Sequence, residues 1–389
     1  MAWFLPLNNM ERKKILVLVD WFVPGYKAGG PIRSCVNFAR NMQGDYEIFV
    51  FTTDRDLGSP TPYEKIQADE WTSCDDGISI FYCSPTNLSW RTIHRQIGAV
   101  SPDYIYLNSM FSAKFTIVPL LIDRVSLTKH RIVLSPRGML RSSAVQFKSA
   151  KKKIFLNGFR WLGLHKKVTF LAADDTEARD VQRYFGLHAR VTLIPNFPAV
   201  LQAASVPIGK DKGDLAMIFI GRIHPIKNLD YLLKVLMEVR ATIRLTIVGN
   251  EEDIAFWQDC RELIKNLPAN ITVIYAGEIP NDRLPALTAQ HHIFVLPTKG
   301  ENFGHAIFEA LALGKPVLIS DQTPWRGLQA AGAGWDLSLD RPEGFRQAIE
   351  EAAAFGPEEY QARCLTTWNY IKNYIAQLDL KEEYIKLFS

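Results

Sequence analysis

Long apolar runs are missing from this chain. No stretch among its 389 residues approaches the ~18 consecutive apolar positions of a membrane-spanning helix. Cysteine is scarce and scattered: Cys35, Cys74, Cys83, Cys260 and Cys364 form no close pair. That argues against a disulfide-stapled scaffold, a zinc cluster and a dithiol redox motif, and it fits a reducing, cytoplasmic compartment. The start, Met1 to Leu7, lacks the basic flank of a secretory leader, and Met10 offers a second start. Gly-x-Gly-x-x-Gly and Gly-x-x-x-x-Gly-Lys-Ser/Thr are both absent, which counts against a dinucleotide-binding oxidoreductase and a phosphate-loop NTPase. With 47% hydrophobic and 22% charged residues the composition is globular, and the length suits two α/β domains of ordinary size.

Negative charge is missing from one long segment. Between Asp123 and Asp174 no acidic residue occurs, whereas Arg137, Arg141, Lys148, Lys151, Lys152, Lys153, Arg160, Lys166 and Lys167 do. Phe147, Phe155, Phe159, Trp161 and Leu162 are interleaved with them. Residues 1–201 hold 26 Lys and Arg against 17 Asp and Glu, and the remainder 19 against 24, so the basic excess belongs to the first half. Basic residues among aromatics over 137–167 suit an anionic membrane surface, with the protein peripheral on the cytoplasmic face. The plain alternative is a solvated helix whose aromatics face the core. Nucleic acid is the other polyanion, but no nucleic-acid motif is present and none is expected as a partner.

Apolar periodicity predicts two strand–helix series, an α/β fold class. The first opens with a strand at 14–20, a glycine loop at Lys27-Ala28-Gly29-Gly30-Pro31 and a helix ending near Met42. Strands follow at 46–52, 78–82, 104–107, 132–134, 168–172 and 191–194. Polar sequence then marks a linker. The second series holds a strand at 215–220, a helix from about Leu229 to Val239, a strand at 292–297, a helix from His305 to Leu313 stopped at Gly314, and a strand at 315–320. The tail from about Glu358 reads as helical. The expected division is 1–200, a linker at 201–214, 215–365, and a C-terminal helix at 366–389.

Chemistry-bearing residues fall on the loops after strands, where open α/β sheets bind ligands. Glu301 lies in a loop and Glu309, eight residues on, inside the following helix, with Asn302, Phe303 and Gly304 at its start. Free backbone N–H groups there favour an anion. Gly221, Arg222 and Lys227 follow the earlier strand, and two cations beside a helix start suit a diphosphate. Each residue taken alone is equally readable as a solvated charge or a turn. Gly29 and Gly30 let backbone approach a ligand without a Cβ in the way. Asn108 and Arg137 sit on loops expected to face the cleft from the first half. Asp54-x-Asp56 has metal-chelating spacing, but its surroundings fit no metal pattern, so no metal is expected. His291 and His292 read as structural, and Asp174 and Asp175 as a helix cap.

In order and spacing, Gly221-Arg222 with Lys227, Val248-Gly249-Asn250, Tyr275-Ala276-Gly277, and Glu301-x-Phe303-Gly304 through Glu309-Ala310 resemble the donor site of retaining glycosyltransferase family 4, of GT-B fold. The resemblance covers nearly the whole chain and is strongest from Ala216 to Ser320. It implies two Rossmann-like domains facing across a cleft, with the last helix crossing back to the first. It implies transfer of a sugar, a hexose by expectation, from a nucleoside-diphosphate sugar to a glycan or lipid-linked acceptor in cell-envelope or exopolysaccharide biosynthesis, without metal or other cofactor. Arg222 and Lys227 would then bind the donor pyrophosphate with the Gly29-Gly30 loop and Gly221. Glu309 would bind the ribose hydroxyls. Glu301 and the backbone at Asn302, Phe303 and Gly304 would hold the sugar. Asn108 and Arg137 would lie on the acceptor side, and Arg137 stands where many members carry histidine. A non-catalytic GT-B scaffold and a sugar-nucleotide epimerase of related fold are the alternatives. The four intact charges argue against the scaffold, and transfer instead of free sugar would separate the epimerase.

Overall fold

A computed structural model describes residues 12–74, 77–141, 149–201 and 207–389. The expectations for the chain start, for Phe147 and Lys148, and for part of the 201–214 linker lie outside the described residues.

Two sheets form, each from its own half of the chain. The first has eight strands in the order β3-β4-β2-β1-β5-β6-β7-β8. They are β1 (Lys14–Leu18), β2 (Glu47–Thr53), β3 (Trp71–Ser73), β4 (Ser79–Cys83), β5 (Tyr104–Leu107), β6 (Arg131–Leu134), β7 (Val168–Ala172) and β8 (Val191–Leu193). All pair in parallel except β3, which runs antiparallel to β4 at the edge. The second has six parallel strands in the order β11-β10-β9-β12-β13-β14. These are β9 (Asp214–Ile220), β10 (Thr242–Val248), β11 (Ile271–Gly277), β12 (Ile293–Leu296), β13 (Val317–Ser320) and β14 (Gly334–Leu337).

The central strands read as unbroken apolar runs because helices cover both faces. Every residue of β5, β12 and β13 is buried. Helix starts use the expected chemistry: Asp174 accepts the Glu177 N–H at 2.8 Å and Asp253 the Phe256 N–H at 3.0 Å.

The C-terminal return is later than expected. Helix Pro357–Ala376 belongs to the second core, with Tyr360, Cys364 and Ile371 buried in it. Leu380, Tyr384 and Phe388, on and beside helix Leu380–Leu387, are buried in the first core, with Leu378, Ile385 and Leu387 packed against it. Tyr384 stacks on Phe197 with centroids 4.4 Å apart, and Tyr46 Oη donates to the Phe388 carbonyl at 3.0 Å. The boundary expected at 366 therefore falls inside one continuous helix, and the crossing is made at Gln377–Asp379.

Both sheets point their carboxyl strand ends at a common cleft. The loops after β1, β6, β9, β10 and β12 carry Gly29, Arg137, Gly221, Gly249 and Glu301 to its walls.

Candidate active site

The second-domain wall is built on two glycines. Gly249, at φ +152°, stands so close that a Cβ would lie 1.9 Å from the Gly221 carbonyl oxygen. No side chain fits, so the loops after β9 and β10 meet backbone to backbone. The β9 loop is tied to the β12 loop as well: Lys299 N–H donates to the Ile226 carbonyl at 2.7 Å and Thr298 Oγ1 to the same oxygen at 3.0 Å. Asn228, at φ +60°, turns the chain into helix Leu229–Leu236. This bracing sets Lys227 beside Glu301, and their side chains form an ion pair. Arg222 pairs with Glu252 at 2.5 Å in a more exposed position.

The loop from Glu301 to Gly304 is fixed from behind by Trp325, whose Nε1 donates to the Phe303 carbonyl at 2.6 Å. Phe303 is buried, and Gly304 (φ +78°) caps helix His305–Ala312. Across the cleft, Gly29 (φ +67°) precedes helix Gly30–Met42. One cavity is lined by Gly29, Gly30, Gly221, Arg222, Lys227, Glu301 and Gly304 together. A neighbouring one adds Asn302, Phe303 and Arg137. Glu309 lines a third, deeper between the domains.

Side-chain contacts cross between the domains. Arg33 pairs with Glu309, and its Nη2 donates to Asn281 Oδ1 at 2.6 Å. Lys27 pairs with Glu278 at 3.2 Å, and the Ser34 hydroxyl meets His305 Nε2 at 2.8 Å. Burial pushes the Arg33 guanidinium down to about 10. Burial, then the charges of Arg33 and Arg137, hold His305 well below the usual imidazole range, so it is neutral near pH 7. Arg33 and His305 escaped the sequence reading. Arg33 does lie four residues past Gly29 on the first turn of a helix, but only the assembled cleft brings it to Glu309, 276 positions away.

Asn108 is more buried than expected, and Arg137 reaches the cleft wall with its guanidinium turned inward. Asn108 is 2% exposed and lines none of these three cavities. Its Oδ1 accepts from Arg137 Nη2 at 2.5 Å, and the same nitrogen reaches Tyr106 Oη at 3.0 Å. The reason is local backbone: Arg137 itself turns the chain at φ +56°, which sends its guanidinium inward, where Asn196 also accepts from it. Asn108 therefore supports Arg137 and does not face an acceptor.

Asp56 is a structural anchor, its carboxylate accepting the N–H groups of Tyr26, Lys27 and Leu57. Asp54 pairs with Arg55 at 2.8 Å. His292 bridges Ala216 N–H and the Gly209 carbonyl, each at 2.9 Å. In the basic segment, helix Ser149–Trp161 divides its apolar residues. Leu156 and Phe159 are buried, while Ile154 is 72% and Trp161 86% exposed beside Lys151, Lys153 and Arg160.

The two facing parallel-sheet domains, the cleft and the returning C-terminal helix define the GT-B fold of glycosyltransferases. Residues 202–353 match the family model described as Glycosyl transferases group 1. The Escherichia coli O-antigen chain mannosyltransferase B is 34% identical over 112 residues, 27% of this chain and 28% of that protein. The D-inositol 3-phosphate glycosyltransferase of Rhodococcus erythropolis is 28% identical over 131 residues, 32% and 30% of the two chains. The match thus spans less than a third of the length of these relatives. Among solved structures, Anabaena Alr3699/HepE in complex with UDP and glucose superposes with a TM-score of 0.62 at 15% identity, covering 94% of this chain and all of that one. WaaG, involved in lipopolysaccharide biosynthesis, gives 0.62 at 14% identity over 96% and 98%. At such identities these likenesses establish the fold alone.

Proposed function

We propose that this chain is a retaining glycosyltransferase that moves a sugar, a hexose by our reading, from a nucleoside-diphosphate sugar to a glycan or lipid-linked acceptor of the cell envelope or an exopolysaccharide. One observation carries the reading. Lys227 and Arg222 stand with Glu301 around a cavity whose opposite wall is the Gly29-Gly30 helix start. That is the arrangement an anionic leaving group next to a polyhydroxylated ring requires. The diphosphate takes Lys227 and Arg222, and Lys227 in doing so frees Glu301 to accept from sugar hydroxyls. Charge developing on the leaving phosphate is met by these cations and by backbone N–H groups, in place of a metal. The departing phosphate oxygen accepts the acceptor's proton on the same face, as the resemblance to retaining family 4 implies. The complex of HepE with UDP and glucose and the O-antigen role of the mannosyltransferase support the donor and acceptor classes by analogy of fold and partial sequence.

A melting-curve screen across nucleoside-diphosphate sugars tests it. A donor at a hundred times its Kd stabilises the native state by about 2.7 kcal/mol, a rise of roughly 3–5 °C. A flat response to every donor would remove the reading.

The same proposal places the acceptor domain on an anionic membrane surface. No helix among the described residues is long and apolar enough to cross a membrane, so contact would be lateral. Lys151, Lys153 and Arg160 surround the exposed Ile154 and Trp161, a basic rim around an apolar tip. Each such cation contributes about 1 kcal/mol at an anionic surface. The variant Lys151→Gln/Lys153→Gln/Trp161→Ser is expected to lose most co-sedimentation with phosphatidylglycerol vesicles at low salt. Its transfer to a soluble acceptor should stay near wild type. Wild-type protein that ignores such vesicles at low salt would leave this helix as a solvated face.

A further inference from the structure

The cavity on the first-domain side of Glu301 carries more positive charge than the transfer step uses. It measures about 430 Å³ and is lined by Arg137, Gly138 and Arg141 on one wall, and by Lys227, Glu301 and Asn302 on the other. Arg222 and Lys227 have carboxylate partners. Arg137 has none within ion-pair distance among the described residues: its nitrogens meet Asn196, Asn108, Tyr106 and the Cys35 sulfur, all neutral. It is 8% exposed, and its Nε is buried without a hydrogen-bond partner. Arg141 pairs through Nη2 with Asp174 at 2.5 Å, but its Nε is likewise buried and unpartnered. The nearby carboxylate of Glu177 is committed elsewhere, accepting the N–H groups of Gly138 and Ala173 at 2.5 and 2.9 Å. That fixes the loop bearing Arg137, on which the Glu177 charge acts from beyond ion-pair distance.

A buried guanidinium with no carboxylate within ion-pair distance, beside a second guanidinium whose Nε–H lacks a partner, is stabilised by an incoming anion. The segment supplies no acid of its own, since none occurs from 124 to 173. We infer that this cavity takes the phosphoryl group of a phosphorylated acceptor, held by Arg137 and Arg141. Calling the ligand an acceptor rests on the transferase reading above; the anion site does not. Guanidinium forks match phosphate oxygens in pairs. Arg222 and Lys227 line the opposite wall of the same cavity, so the phosphoryl group on Arg137 and Arg141 would neighbour the donor diphosphate. A Cβ at Gly138 would lie 3.2 Å from the Asn302 side chain, so the Arg137 loop and the Glu301 loop approach closely there. The phosphoryl group can belong to a soluble sugar phosphate or to a lipid-linked phosphate.

The test uses the full chain carrying Arg222→Ala and Lys227→Ala, which removes the donor diphosphate site. Calorimetric titrations with inorganic phosphate, glucose 1-phosphate, a short-chain prenyl phosphate and glucose are compared. Binding of the phosphorylated probes but not glucose is expected. It should weaken by roughly tenfold or more when Arg141→Gln is added, with an unchanged melting curve, as for a lost charge-assisted hydrogen bond. Arg137→Lys, which keeps the charge and removes the fork, should weaken it similarly and stands as a second variant. Tighter binding of glucose 1-phosphate assigns a soluble acceptor, and tighter binding of the prenyl phosphate a lipid-linked one. Loss of all phosphate binding in the Arg222→Ala/Lys227→Ala parent would put the anion in the donor site and overturn the inference. So would unweakened binding in both arginine variants. Failure of the donor reading shows up separately, as a wild-type chain that no nucleoside-diphosphate sugar stabilises.

Discussion

Arg222→Ala and Lys227→Met are each expected to lower sugar transfer by about 10²–10³-fold, the loss seen when one preorganised charge donor is taken from a transition state. The two should differ in stability, and the difference guards the interpretation. Arg222 is 38% exposed and its pair with Glu252 is open to solvent, so removing it costs the fold about 0–1 kcal/mol. Lys227 packs its stem against Gly221 and holds Glu301, whose side chain is only 12% exposed. Methionine keeps the stem but leaves that carboxylate without its cation, and the melting temperature should drop measurably. Adding Glu301→Gln should restore the melting temperature without restoring transfer. On the proposed mechanism these cations take the place of a metal at the leaving phosphate, so wild-type transfer should persist in excess chelator. Near-normal turnover of the Arg222 variant, or loss in chelator restored by magnesium or manganese, would overturn this mechanism.

The residues of this clamp were legible because their chemistry is local to two short loops. Gly221, Arg222 and Lys227 follow a buried strand within eight residues, and Glu301 to Glu309 bracket one helix start. The central strands were legible for the same kind of reason, since buried parallel strands are continuous apolar runs with little else to be. The three-residue edge strand β3 was not: Trp71–Ser73 is too short for any period, and its residues are partly exposed. The C-terminal break was hidden too. Residues 377–379 are Gln, Leu and Asp, with neither proline nor glycine to mark a stop, and the turn is set by which core each flank enters. Arg137 shows a third kind of limit. A non-glycine residue at positive φ is uncommon, so its inward turn, and with it the burial of Asn108, depends on tertiary packing that no spacing encodes. Arg33 shows the fourth, since its partners Asn281 and Glu309 come from the other domain.

That cross-domain pair has its own expected result. Glu309→Ala should raise the donor KM and cut transfer by roughly 10²-fold, as for loss of a charged partner to buried hydroxyls. It should also destabilise the closed cleft, because Arg33 is left with Asn281 alone at a position where burial already pushes its guanidinium down to about 10. Breaking one side of a buried pair costs about 3–5 kcal/mol, and the 15% and 25% side-chain exposure of the partners places this pair below that range. Arg33→Met alone leaves Glu309 present but unpaired, so it should loosen closure while retaining ribose contact. The double variant Arg33→Met/Glu309→Gln removes both charges, and its melting temperature should exceed that of either single variant. Its transfer should nonetheless remain low on the proposed contact of Glu309 with the donor ribose. The two readouts therefore separate: stability follows the pairing of charge, and turnover follows the carboxylate at 309. Purely additive melting temperatures across the cycle would show that the pair does not hold the domains together. Full transfer by the double variant would show that Glu309 does not meet the donor.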